Sequence, residues 1–122
     1  MFLSVHEGPQ RISKAQSTVA LLPGMILSNE PGYYRDGEFG MRCENLQVVR
    51  ECSETDGETP MLEFETLTLA PFDTRLLLPQ LMDGEELAWL NAYHARVRET
   101  LLPQLDEEDA RWLRAATQAV VH

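Results

Sequence analysis

Gly24 to Glu51, GMILSNEPGYYRDGEFGMRCENLQVVRE, decides how the rest of the chain is read. Two apolar runs, Met25-Ile26-Leu27 and Leu46-Gln47-Val48-Val49, flank a segment rich in glycine, aspartate and proline, the pattern of two strands joined by a turn. Each arm carries a glutamate. Glu30 precedes Pro31, which pushes it toward an extended backbone, and Glu44 sits among residues that favour strands. With the turn near Asp36-Gly37 the arms are of similar length, so the two carboxylates, fourteen positions apart, come close to facing each other. Directly opposed like charges destabilise a sheet pair. Three arrangements answer that: a divalent cation held by hard oxygen ligands, pairing with Arg42, which lies two residues from Glu44 on the same face, or a solvated hairpin with its charges in water.

Working outward, Ile26, Ser28 and Glu30 share one strand face, and Met25, Leu27 and Asn29 share the other. Apolar residues on both faces predict a strand covered on both sides, as in a sheet wrapped by helices. Upstream, Leu3 to His6 reads as the end of a strand stopped by Glu7-Gly8-Pro9, and Ser17 to Leu22 as a short strand before Pro23-Gly24. Downstream, Cys52 to Pro60 reads as an exposed turn, and Leu62 to Leu69 alternates as the last core strand until Pro71. Glu65 shares a face with Glu63 and Leu67 and reads as a structural or surface carboxylate. Asp83-Gly84-Glu85-Glu86 then resembles a capping box. Leu87, Leu90, His94, Val97 and Leu101 follow at helical spacing up to Pro103, which predicts a helix of about 18 residues. Asp106 with Asp109 caps a second helix whose stripe is Ala110, Leu113, Ala116 and Val120. Trp89 and Trp112 are expected to bury against a partner surface, and His94 reads as a packed residue rather than a ligand.

The composition narrows the function classes. A chain of 122 residues with 43% hydrophobic content suits one domain with a core. No apolar run approaches the roughly 20 residues of a membrane span, and Met1-Phe2-Leu3-Ser4-Val5 lacks the basic and long apolar segments of a signal peptide. A cytoplasmic protein without a membrane partner is the expectation. A net charge of -10 argues against nucleic acid. Cys43 and Cys52 are too few for a disulfide framework or a zinc knuckle. Both read as free thiols, with Cys43 packed as a small apolar residue.

VHEGP at Val5 to Pro9, PGMILSNEPGYY, GMRCENLQVV and LEFETLTLAPF at Leu62 to Phe72 occur in an order that resembles the closing motifs of the aminopeptidase P (Xaa-Pro aminopeptidase) branch of the M24 metallopeptidases. WLNAYHARVRETLLP resembles the helical tail of that branch. The resemblance implies an α+β chain, the second half of a pita-bread (creatinase/aminopeptidase) fold: antiparallel strands followed by a C-terminal two-helix extension. It divides the chain into a partial catalytic domain, 1–72, and the extension, 73–122. The implied activity is release of an N-terminal residue that precedes proline, by hydrolysis with a metal-bridged hydroxide.

The same resemblance assigns roles. Glu30 of NEPGYY would be a metal ligand and general base, Glu44 of RCEN the carboxylate that bridges two divalent ions, expected to be Mn, and Arg42 the group that orients these carboxylates. His6 of VHEGP would lie beside the metals and hydrogen-bond the substrate or the tetrahedral intermediate. Tyr33 and Tyr34 read first as packing in the hairpin turn, the alternative being that one of them lines the substrate pocket. The family's five ligands are two aspartates, a histidine and two glutamates, and the first three precede VHEGP, so the site in this chain is expected to be incomplete. The implied partners are a peptide with proline at its second position and either a second copy of the chain or a missing N-terminal half. The alternative is a catalytically inactive fragment or a protein-interaction module.

Overall fold

The computed structural model describes residues 8–53 and 59–122, and these form two units, one running to Thr68 and the other spanning Leu69–His122. The strand end expected at Leu3 to His6, His6 itself and the centre of the Cys52 to Pro60 turn lie outside the described residues.

The first unit is built on the two apolar runs. Ile26–Asn29 (β1) pairs antiparallel with Asn45–Glu51 (β4), Ile26 facing Val48 and Asn29 facing Asn45. Gly32–Arg35 (β2) pairs antiparallel with Phe39–Arg42 (β3), Gly32 facing Arg42. The hairpin turn falls at Asp36-Gly37-Glu38, with Gly37 at φ +71°, a conformation glycine adopts without steric cost. Leu62–Thr66 (β5) lies along the other edge of β4, giving the sheet order β1-β4-β5. Arg50 on β4 reaches across to Glu63 at 3.5 Å and Glu65 at 2.6 Å, so Glu65 serves as a surface carboxylate in a cross-strand ion pair.

Ser17 to Leu22 is not a strand. Its polar side chains bond locally, Ser17 Oγ accepting the Val19 N–H at 3.2 Å, and Pro23 has no N–H to offer a ladder. Pairing begins only where Gly24 N–H donates to the Val49 carbonyl at 2.8 Å. The sheet is also covered less than its apolar pattern predicts. Leu27, Asn45 and Val49 are buried on one face, but Ile26 and Leu46 on the other are 53% and 46% exposed. Cys43 is exposed rather than packed, because it sits in a gap between the two ladders, held there by its N–H to the Pro31 carbonyl at 3.1 Å. Neither cysteine forms a disulfide, as expected.

The second unit is helical. Leu69 and Phe72 already pack on the core formed by Tyr93, Val97 and Leu113. Gly84–Leu101 (α1) starts as its sequence requires: Asp83 accepts the N–H groups of Glu85 and Glu86, and Glu86 returns a carboxylate to the Asp83 N–H at 2.9 Å. Leu87, Leu90, Tyr93, His94 and Val97 are its buried face. Glu107–Ala116 (α2) is capped by Asp106, which accepts from Glu108 and Asp109. Ala110 and Leu113 are buried, whereas Val120 lies beyond the helix and is held by Asn91, whose side-chain amide donates to its carbonyl at 2.9 Å and accepts its N–H at 2.8 Å. Trp89 stacks on Tyr93 with centroids 5.4 Å apart, yet Trp89 and Trp112 keep 51% and 62% of their surface exposed. Among the described residues no helix is long and apolar enough to cross a membrane.

The capping box makes one prediction. Asp83→Ala removes the acceptor for two first-turn N–H groups and should cost about 1 kcal/mol. Urea denaturation followed by circular dichroism checks this, and an unchanged midpoint would show that the box contributes nothing.

Candidate metal centre

Glu30 and Glu44 occupy the gap between the two ladders. Asn29 faces Asn45 on one side of the gap and Gly32 faces Arg42 on the other, so the register runs through it unbroken and sets Glu30 directly across from Glu44. The interruption has a local cause. Pro31 has no N–H with which to continue the ladder, and Cys43 bonds back to it alone. By the alternation of strand side chains, Ile26, Ser28, Glu30, Tyr34, Arg42, Glu44 and Leu46 share one face. A cleft of about 1050 Å³ opens over part of that face, with residues 8–13 as its other wall and Ser28, Glu30, Glu44 and Leu46 among its lining.

The two carboxylates are held differently. Ser28 Oγ donates to Glu30 Oε1 at 2.9 Å, and Arg42 Nη1 donates to Glu30 Oε2, so both oxygens are oriented. Arg42 is itself positioned by Tyr34, whose hydroxyl accepts from Nε and whose ring lies 5.8 Å from the guanidinium carbon. The ring of Tyr34 crosses above Gly40, where an added Cβ would come within 2.6 Å of it. Glu44 is exposed, and no ion pair among the described residues engages it. One carboxylate is thus braced and charge-compensated, and the other is left open to a cation.

Of the residues singled out from sequence, the structure brings Glu30, Glu44, Arg42 and Tyr34 to one face. Tyr33 lies on the opposite face, facing Met41 and packing against Phe39 at 6.1 Å. His6 is outside the described residues. Gly8 and Pro9 of the wall belong to the VHEGP motif, but Ser28 and residues 10–13 did not stand out in the sequence; Ser28 was marked only by its place two residues before Glu30 on the same strand. Two opposed hard oxygen donors on the wall of a cleft suit a divalent cation. Among the described residues no group of three or more His, Cys, Asp or Glu side chains gathers that could hold a metal ion.

Residues 1–51 match the metallopeptidase family M24, and residues 60–120 match the C-terminal region of peptidase M24. The chain belongs to metallopeptidase family M24. Aminopeptidase P1 of Lotus japonicus is 42% identical over 122 residues, which cover 98% of this chain and 18% of the relative. A probable Xaa-Pro aminopeptidase P of Arthroderma otae is 46% identical over 125 residues, again 98% of this chain and 20% of the relative. The chain therefore spans about a fifth of the length of these relatives. The crystal structure of the X-prolyl aminopeptidase of Caenorhabditis elegans, described as a cytosolic enzyme with a di-nuclear active site, superposes with a TM-score of 0.83 at 34% identity, covering 97% of this chain and 20% of that one. The strands and helices are those of the second half of a pita-bread fold.

Proposed function

We propose that this chain is the C-terminal part of a dinuclear, metal-dependent aminopeptidase that releases an N-terminal residue preceding proline. The observation that supports it best is the pair Glu30 and Glu44, opposed across an interrupted ladder on the wall of a cleft. Glu30 would hold one ion in an orientation fixed by Ser28 and Arg42, and also act as general base. Glu44 would bridge both. Two divalent ions, expected to be Mn²⁺, would supply Lewis-acid chemistry for the scissile carbonyl and for activation of water. His6, assigned by its VHEGP motif, would hydrogen-bond the substrate or the tetrahedral intermediate, a role that suits a group able to donate or accept near neutral pH. The remaining ligands, two aspartates and a histidine, would come from an N-terminal half. The setting would be the cytoplasm, as for the Caenorhabditis elegans relative.

The test is a chimera in which this chain replaces the matching segment of Lotus japonicus aminopeptidase P1. Hydrolysis of Xaa-Pro peptides that depends on added Mn²⁺, with little cleavage of matched Xaa-Ala peptides, is the expected result. A folded chimera that cleaves neither, beside an active parent, overturns the proposal and leaves the chain as an inactive fragment or interaction module. The same chimera checks the brace on Glu30. Arg42→Lys keeps the charge but cannot serve Tyr34 and Glu30 from two edges of one planar fork. A loss of about 10–100-fold in activity or Mn²⁺ affinity is expected; near-normal values would show that charge alone suffices.

A further inference from the structure

Helix α1 holds a fully buried titratable group that the proposed chemistry does not use. His94 has no solvent exposure, and its Nε2 accepts the Phe72 N–H at 3.1 Å. A neutral imidazole that accepts at Nε2 carries its proton on Nδ1, and Nδ1 is buried without a hydrogen-bond partner. Any further proton must therefore bind at Nε2, the atom that holds Phe72. Imidazolium has no lone pair left for that bond, and two N–H groups would then face each other.

The surroundings oppose a charge on this ring. One turn along α1, Arg98 donates to the Thr117 carbonyl at 2.6 Å and to Thr117 Oγ1 at 3.2 Å, and its charge is permanent. Tyr93, with its ring centroid 5.9 Å from that of His94, donates its hydroxyl to the Ala70 carbonyl at 2.7 Å, and burial raises its pKa, so it stays neutral. Asp73 adjoins Phe72, but its carboxylate is taken by Arg75 at 2.6 and 2.8 Å. The buried face of α2 offers Ala110 and Leu113, and Thr117 just past its end is buried as well; none of the three titrates. Burial first, and then the charge of Arg98, hold the His94 pKa below its ordinary value.

We propose that His94 is a protonation-gated latch: the neutral ring ties Phe72 and the segment before α1 to the helix, and the protonated ring releases them. The folded state takes up this proton less readily than the open one. Closure is therefore complete above about pH 6.5 and weakens below it, by up to about tenfold in the opening equilibrium per pH unit.

Amide hydrogen exchange on the ¹⁵N-labelled 122-residue chain tests this, with each rate divided by its intrinsic value. Between pH 7.5 and 5.5 the protection of the Phe72 amide is expected to fall by up to about tenfold, while that of Val49 in β4 stays level. In His94→Gln the side-chain oxygen accepts in place of Nε2 and cannot be protonated, so Phe72 protection should not vary with pH. Unchanged protection in the wild type, or an equal fall in His94→Gln, overturns the latch. If the variant does not fold, the wild-type imidazole resonances decide. A titration midpoint below about 6.5 supports the proposal, and one at or above it overturns it.

Discussion

Glu44→Ala is expected to lower Mn²⁺-dependent Xaa-Pro hydrolysis by the chimera more than about 100-fold, because loss of a residue that merely supports a ligand costs 10–100-fold. The substitution should not harm folding. Glu44 is exposed, no ion pair among the described residues engages it, and it sits directly across from Glu30. Removing one of two opposed carboxylates relieves repulsion, so the variant should melt at or slightly above the wild-type temperature. Paired activity and calorimetric measurements check both halves. Activity within about tenfold of the wild type would remove Glu44 from the chemistry, whereas a lowered melting point would make it structural.

Leu113→Ala should be the most damaging substitution in the helical unit. Leu113 is 1% exposed and joins Tyr93 and Val97 in a core that also receives Leu69, Phe72 and Leu105. Truncating a buried leucine loses its transfer free energy and leaves a cavity that neighbours fill only in part, a cost of about 2–5 kcal/mol. At about 4–8 °C per kcal/mol for a small domain, the melting of this unit should fall by roughly 10 °C or more. A loss below about 1 kcal/mol in urea titration would mean that the site collapses around the alanine.

The elements with strong local signals were legible. The cap at Asp83 and the stop at Pro103 bound α1 as the sequence indicates, because capping and proline act within a few residues. The facing of Glu30 and Glu44 was legible too, since strand side chains repeat every two residues and the turn is centred on Gly37. What depended on distant surroundings was not. Ile26 and Leu46 have the composition of covered residues but line an open cleft, and Cys43 looks packable but lies in a break of the ladder. Tyr33 and Tyr34 could not be told apart until the register was known to persist across Pro31. That register puts Tyr34 on the carboxylate face and Tyr33 on the other. The solitary histidine of α1 read as packing, and its bond to Phe72 needed the tertiary fold.

The contact between Tyr34 and Gly40 has a consequence for how such chains diverge. The ring occupies the volume a side chain at position 40 would need. A larger residue there would displace the ring and carry its hydroxyl away from Arg42, and with it the brace on Glu30. Substitution at position 40 is therefore open only to lineages that have already given up the tyrosine at 34 or found another support for Arg42. Drift at the two positions should be coupled, although neither is a metal ligand.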